Sequence, residues 1–184
     1  MSNEPTRLEM FLTRLAFLLC GKPVYQAFAD RLPLDGGDQV LDFGCGMGTV
    51  AYYVAKKLPH GHLTCLEISD RWLNACRKTL RGYRNVSFLL CESPPLLASE
   101  SFDVAYCHFV LHDISESELA RVISALARAL KPGGVLVFRE PLNEAGKISL
   151  VKRLVEQNRL IPKDSRVTDV PLMGNALECV YIKE

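Results

Sequence analysis

Three glycines at alternate positions follow a short apolar run and could close a tight turn around a ligand. They are Gly44, Gly46 and Gly48. A buried strand, such a turn and a helix N-terminus form a cradle for a nucleoside-type cofactor, because glycine has no Cβ to keep the backbone from the ligand. The spacing departs from the dinucleotide pattern G-x-G-x-x-G, since Thr49 stands where the third glycine of that pattern belongs.

Asp42 lies two positions before the first of these glycines and narrows the choice of ligand. A carboxylate there would attract an ammonium group, directly or through water, and would repel a pyrophosphate. The glycine loop, defined as residues 44–48, is therefore better suited to the zwitterionic amino-acid end of a cofactor than to a phosphate.

The string from Leu41 to Thr49, L-D-F-G-C-G-M-G-T, resembles the first motif of class I S-adenosylmethionine-dependent methyltransferases. Four further stretches resemble later landmarks of that family in the same order; they are residues 63–68, 86–93, 101–112 and 130–137. The resemblance spans residues 38 to 140 and implies S-adenosylmethionine as the cofactor and S-adenosylhomocysteine as the product.

The resemblance also implies which residues hold the cofactor. Glu67 ends the second strand 19 positions after Gly48, close to the offset of about 20 at which a carboxylate binds ribose hydroxyls. Glu92 would accept a hydrogen bond from the adenine amino group, and the Ser93 amide would face a ring nitrogen, although the family usually carries Gly-Asp-Ala from position 91 to 93. The implied cofactor residues are Asp42, Gly44, Cys45, Gly46, Met47, Gly48, Glu67, Ile68, Glu92, Ser93 and Cys107.

His108 and His112 are the candidate catalytic residues, because the resemblance places the end of strand four beside the transferring methyl group. A neutral imidazole accepts a proton from an oxygen or nitrogen nucleophile near pH 7. The alternative is that both are structural histidines, since methyl transfer from a sulfonium needs little acid–base assistance once the donor and acceptor are aligned. No metal site is expected, because no carboxylate is spaced to complete a shell with Cys107 and these histidines.

The composition is that of an ordinary globular chain. The 184 residues are 48% hydrophobic and 23% charged, with a formal net charge of +1. That charge gives no general attraction to nucleic acid or to an anionic membrane, so neither is an expected partner. Seven cysteines without a C-x-x-C pair indicate reduced thiols, and the apolar patch from Leu15 to Cys20 is too short to span a membrane. We therefore expect a cytoplasmic protein.

Strand-like and helix-like segments alternate along the chain. This order predicts an α/β, Rossmann-like, doubly wound and mostly parallel seven-stranded sheet with helices on both faces. Residues 166–170 and 177–182 alternate in polarity around a turn, which predicts a C-terminal antiparallel hairpin.

One methyltransferase domain is expected over residues 1–184, with residues 1–35 as an N-terminal helical lid and residues 38–184 as the core. A second helix of the lid should begin at Pro23, a favourable residue for a first turn.

The function that these features favour is methyl transfer from S-adenosylmethionine to a nucleophile on a small-molecule acceptor. Two alternatives stay open: a cofactor-binding subunit without turnover that scaffolds a partner enzyme, and an RNA or protein methyltransferase. Met10 and Phe11 could line an apolar acceptor pocket or could simply pack the lid, and the same holds for Tyr25 and Phe28. The sequence does not determine the acceptor atom or the oligomeric state.

Overall fold

A computed structural model describes residues 4–91, 97–171 and 174–184 of the chain. Seven strands form one mixed sheet in the order β3-β2-β1-β4-β5-β7-β6. The strands are β1 (Gln39–Phe43), β2 (His62–Glu67), β3 (Val86–Leu90), β4 (Phe102–His108), β5 (Leu130–Pro141), β6 (Leu160–Val170) and β7 (Gly174–Lys183). The predicted Rossmann-like α/β fold and its C-terminal antiparallel hairpin are confirmed.

Six α-helices accompany the strands within the described residues. They are α1 (Arg7–Cys20), α2 (Ala27–Arg31), α3 (Ala51–Val54), α4 (Asp70–Thr79), α5 (Glu116–Ala129) and α6 (Ala145–Gln157). A π-helical turn covers Gly21–Gln26, and 3-10 turns cover Ala55–Lys57, Leu111–Asp113 and Leu142–Glu144.

Contacts between Cα atoms divide the chain into two compact units, Met1–Cys91 and Glu92–Glu184. In the first unit β1 and β3 both pair with β2 in parallel. Parallel strands are covered on both faces, so they read as apolar runs, and Val40, Leu41 and Leu63 are fully buried. The carboxyl ends of parallel strands share one edge of the sheet, which brings the glycine loop to the end of β2.

In the second unit β4 and β5 are parallel, whereas β7 runs antiparallel to both β5 and β6. Val137 of β5 faces Val180 of β7 across the ladder. The helix α5 packs a face of small and branched residues, including the fully buried Val122 and Leu126. The division into one domain with a lid over residues 1–35 stays a prediction.

The expectation that a separate helix begins at Pro23 is wrong. Helical backbone continues from α1 through the π-helical turn Gly21–Gln26 into α2. The Pro23 nitrogen carries no hydrogen, so the α-helical bond to the carbonyl four residues back cannot form. A π-helical turn absorbs such a break in the ladder without ending the helix.

Candidate functional site

The glycine loop owes its shape to three residues with left-handed backbone. The φ angles of Gly44, Gly46 and Gly48 are 75°, 52° and 79°. Residues with a Cβ rarely adopt such angles, so this loop requires glycine at each of the three positions. The amides of Gly44 and Cys45 donate to the carbonyl of Leu66 at 2.9 and 3.1 Å, which fixes the loop against the end of β2.

Gly46 and Gly48 differ in what surrounds them. A Cβ added to Gly46 would meet no atom of the protein within 4 Å, so open space lies beside this residue. A Cβ on Gly48 would lie 2.8 Å from the Sγ of Cys76. The absence of a side chain therefore leaves room for a ligand at Gly46 and allows close packing at Gly48.

Glu67 is buried at the end of β2 and accepts three backbone hydrogen bonds. Its Oε2 accepts from the Gly46 amide at 2.9 Å, and its Oε1 accepts from the amides of Ile68 and Ser69 at 2.8 and 3.2 Å. Burial raises the pKa of Glu67, and these hydrogen bonds oppose that rise. A carboxylate has about four acceptor positions, so one remains for an outside donor such as a hydroxyl.

The other predicted cofactor residues of the first unit surround this contact. Asp42 is buried on β1 and is paired in register with Cys65 of β2. Cys45 and Met47 are also buried, so Cys45 would meet a cofactor bound at the loop through its backbone. Ile68 is 47% exposed directly after Glu67, a large exposed apolar residue at the end of a strand.

Two predicted cofactor residues, Glu92 and Ser93, lie outside the residues that the structure describes. Cys107 belongs to β4, where its side chain is fully buried and its partner in register is Phe138. A contact from Cys107 to a cofactor would therefore have to come from its backbone. These assignments stay predictions.

His108 ends β4 beside a buried ion pair. Its Nε2 lies 3.4 Å from Nη1 of Arg139, so the neutral ring is suited to accept a hydrogen bond from the guanidinium. Arg139 donates through Nη2 and Nε to Oε2 of Glu178 at 2.9 and 3.2 Å. The ring of Phe109 lies edge-on to His108, with centroids 4.5 Å apart. His108 is thus oriented by neighbours within its own unit.

His112 forms a dyad with Glu140, whose side chain is 1% exposed. The imidazole Nδ1 lies 2.5 Å from Oε2 of Glu140. The hydrogen bond to Glu140 raises the pKa of His112, and burial of the ring opposes the rise. The second ring nitrogen, Nε2, lies 3.4 Å from Oδ1 of the exposed Asp113.

Glu140 also shapes the chain that carries His112. Its Oε1 accepts from the amides of Val110 and Leu111 at 3.2 and 2.8 Å, which holds the start of the 3-10 turn Leu111–Asp113. Phe109, just before this turn, has a φ of 56°. Such backbone strain in a non-glycine residue occurs preferentially at functional sites.

Sequence reasoning missed Arg139 and Glu140 as site residues. The available signal was their position: two charged residues directly follow the apolar run Val135–Phe138 of β5. Charged side chains are rarely buried without a partner, so charges at the end of a buried strand indicate either a binding site or paired ions.

A cavity of about 530 Å³ lies within the first unit, between α1 and α4. Its apolar lining comes from Met10, Phe11, Phe17, Leu18, Met47 and Tyr52. Arg14, Arg71 and Lys78 also line it, and none of the lining residues that the structure describes is acidic. Phe28, a second candidate for an acceptor pocket, is instead fully buried in the core. Such a cavity suits a ligand with an apolar body and a negative charge.

Several apolar residues of α1, including two that line the rim of this cavity, are exposed to solvent. They are Leu8, Phe11, Leu12, Leu15, Leu18 and Leu19, which are 40 to 73% exposed. In the part of the chain that the structure describes, no helix combines the length and apolar character needed to cross a bilayer.

A family model described as "Methyltransferase domain" matches residues 41–136, just over half of the chain. The match contains the glycine loop and Glu67, and it reaches into β5. The chain therefore belongs to the class I S-adenosylmethionine-dependent methyltransferase family, as the order of its motifs predicted.

Curated relatives include enzymes that act on different acceptors. The tRNA N(3)-methylcytidine methyltransferase trm141 of Schizosaccharomyces pombe is 31% identical over 122 residues, which cover 63% of this chain and 48% of that protein. The ubiquinone/menaquinone biosynthesis C-methyltransferase UbiE of Syntrophotalea carbinolica is 33% identical over 119 residues, which cover 61% of this chain and 49% of that protein. The chain thus spans about half the length of these relatives.

Solved structures agree on the fold. A SAM-dependent methyltransferase from Aquifex aeolicus has a TM-score of 0.73 at 19% identity, with 92% of each chain covered. At that identity the likeness shows a shared fold and carries no information about the acceptor.

Proposed function

We propose that this chain transfers a methyl group from S-adenosylmethionine to a nucleophilic atom of a small-molecule acceptor. The observation that carries the proposal is the open space beside Gly46, whose amide donates to Glu67, in a chain of this family. When bound, S-adenosylmethionine would supply an electrophilic sulfonium methyl group, to which the nucleophilic atom of the acceptor would bond in line while S-adenosylhomocysteine leaves.

The residues of the first unit fit such a cofactor. The carboxylate of Asp42 suits the ammonium of the methionine moiety, and the remaining acceptor position of Glu67 suits a ribose hydroxyl. The backbone from Gly44 to Gly48 would approach the cofactor without obstruction by side chains. By resemblance, Glu92 and Ser93 would recognise the adenine.

His112 is the residue that we assign to proton removal from the acceptor. Glu140 orients its ring through Nδ1, so Nε2 is the nitrogen that would take up the proton. A base with a raised pKa matches an acceptor group that is itself weakly acidic, such as an enol or a phenol. His108, held by Arg139, would orient the acceptor and leave proton transfer to His112.

The cavity between α1 and α4 is the acceptor pocket that we favour. Met47 belongs both to the glycine loop and to the lining of this cavity, so the pocket borders the proposed cofactor site. The apolar lining would bind the body of the acceptor, and Arg14 and Lys78 would favour an anionic group on it, whereas Arg71 already faces Glu4 at 4.0 Å. We also propose that the protein works in the cytoplasm.

Each alternative function has one supporting observation. The exposed apolar side chains of α1 favour a cofactor-binding subunit that works with a partner enzyme. The likeness to a tRNA methyltransferase favours an RNA acceptor, and the net charge of +1 counts against it.

Calorimetric titration of the chain with S-adenosylmethionine, S-adenosylhomocysteine and NAD tests the cofactor. The proposal requires binding of the two sulfur nucleosides and no binding of NAD. Transfer of labelled methyl groups to apolar carboxylates and phenols, with tRNA and a protein extract in parallel, tests the acceptor. Labelling of tRNA alone would establish that the acceptor is RNA. Cofactor binding without any methyl transfer would favour a cofactor-binding subunit that works with a partner enzyme.

A further inference from the structure

Three cysteine thiols converge behind the glycine loop. Cys45 lies in the loop, Cys65 in β2 and Cys76 in α4, and their sulfur atoms all lie within 4.8 Å of one another. All three side chains are buried, and none forms a disulfide. We call these three residues the thiol cluster.

The fold holds the cluster in place through elements that are themselves rigid. β1 and β2 are paired in register, so the position of Cys65 is fixed relative to the start of the loop that carries Cys45. Gly48 allows α4 to come close, since a Cβ at that position would lie 2.8 Å from the Sγ of Cys76. Three sulfur ligands are therefore already gathered before any ion binds.

We propose that the thiol cluster is a binding site for a thiophilic metal ion, with Cu(I) as the ion that it suits best. Thiolates are soft ligands that select Cu(I), Zn(II) and iron–sulfur clusters. Zn(II) in structural sites takes four ligands, whereas among the described residues only these three donors converge. A three-coordinate, all-sulfur set is a geometry that Cu(I) accepts. The thiols lose protons to the solvent as they become ligands.

Cys45 is the member of the thiol cluster that lies nearest to the protein surface. As a whole residue it is 7% exposed, whereas Cys65 and Cys76 have no exposed surface. The Sγ of Cys45 lies 3.7 Å from the Gly46 carbonyl, so the outer edge of the cluster is the glycine loop itself. An ion bound there would hold the loop to β2 and α4 and would stabilise the folded chain by mass action.

The test is a competition titration of the reduced, full-length chain with Cu(I) under anaerobic conditions, with the chromophoric chelator bicinchoninate. Wild type should remove one equivalent from the chelator. Cys76→Ser should bind more than about 10-fold more weakly, because the loss of even an outer-shell partner costs that much. Cys179→Ser, which changes a buried cysteine of β7 outside the cluster, is the matched control and should bind like wild type.

X-ray absorption and thermal melting test the ligand set and the stabilisation separately. X-ray absorption of the Cu(I) protein should show three sulfur scatterers, and the melting temperature should rise on Cu(I) binding in wild type and not in Cys76→Ser. If Cys76→Ser fails to fold by circular dichroism, Cys45→Ser at the edge of the cluster replaces it. No Cu(I) uptake by wild type, equal affinity in the cluster variant, or fewer than three sulfur ligands would overturn the site.

Discussion

The backbone amide of Gly46 donates a hydrogen bond to Oε2 of Glu67 across a distance of 2.9 Å. A glycine beside open space is thereby joined to the acid proposed to bind ribose. This bond links the geometry of the loop to the charge of one side chain, so a change at Glu67 should alter both cofactor affinity and loop order.

Glu67→Gln should therefore weaken S-adenosylmethionine binding and also lower stability. The amide group keeps the size of the side chain but replaces one acceptor oxygen with a donor, so backbone N–H groups lose a partner. Such a loss costs about 1–3 kcal/mol, and each 1.4 kcal/mol is about tenfold in affinity. Calorimetry and urea unfolding measure the two effects, with the exposed Glu116→Gln as control. Unchanged affinity in Glu67→Gln would remove this residue from the cofactor site.

Gly46→Ala should mainly reduce cofactor binding, whereas Gly48→Ala should mainly reduce stability. At Gly46 the new Cβ enters the open space, so binding should be lost while folding suffers only the roughly 1–2 kcal/mol of left-handed strain. At Gly48 the same strain is joined by overpacking against Cys76, worth about 1–3 kcal/mol more. Melting curves and cofactor titrations separate the variants. Unchanged affinity of Gly46→Ala for S-adenosylmethionine would contradict a cofactor site at the glycine loop.

The pH dependence of turnover should report the dyad of His112 and Glu140. Turnover needs the neutral imidazole, so activity should rise with pH through a pKa above the ordinary 6.5, because Glu140 raises it. In Glu140→Gln the pKa of His112 should fall and the rise in activity should move to lower pH. NMR titration of the imidazole measures the pKa directly, and His60→Gln on an exposed turn serves as control. An identical His112 pKa in wild type and Glu140→Gln would rule out the coupling.

Anionic amphiphiles should bind the cavity between α1 and α4. The single tryptophan, Trp72, follows the cavity residue Arg71 on α4, so its fluorescence should respond to ligand binding. Laurate should change the emission, and uncharged dodecanol should bind more weakly. Lys78→Gln should reduce the preference for laurate by about tenfold, because a hydrogen bond to a charged group contributes about 1.5 kcal/mol. Equal affinity for both probes would mean that the basic side chains play no part.

Arg139→Met should destabilise the chain strongly. Arg139 and Glu178 are 2% and 1% exposed, and removal of one partner of a buried ion pair costs about 3–5 kcal/mol. The loss of stability should lie near the lower value, because Arg166 Nε lies 3.5 Å from Glu178 and still pairs with its carboxylate. The double variant Arg139→Met with Glu178→Leu should recover most of the loss in urea unfolding. A single variant as stable as wild type would contradict this view of the pair.

The sheet could be predicted from the sequence because each strand has a local pattern of apolar and polar residues. Apolar runs that end in Asp42 or Glu67 indicate parallel strands whatever surrounds them, and the alternation in β6 and β7 indicates a hairpin. The dyad of His112 and Glu140 could not be predicted in the same way, because its partners are 28 positions apart and meet only through the pairing of β4 and β5. The thiol cluster was missed for the same reason, since its cysteines share no short motif.

The order of strands in the second unit has a consequence for synthesis on the ribosome. β7 lies between β5 and β6, although it is the last of these strands in the chain. Until residues 174–183 have left the exit tunnel, β5 and β6 present unpaired edges to other nascent chains. Chaperone binding to stalled chains should therefore persist until that segment emerges, and premature stop codons before β7 should yield aggregates and degradation products in place of a shortened folded chain.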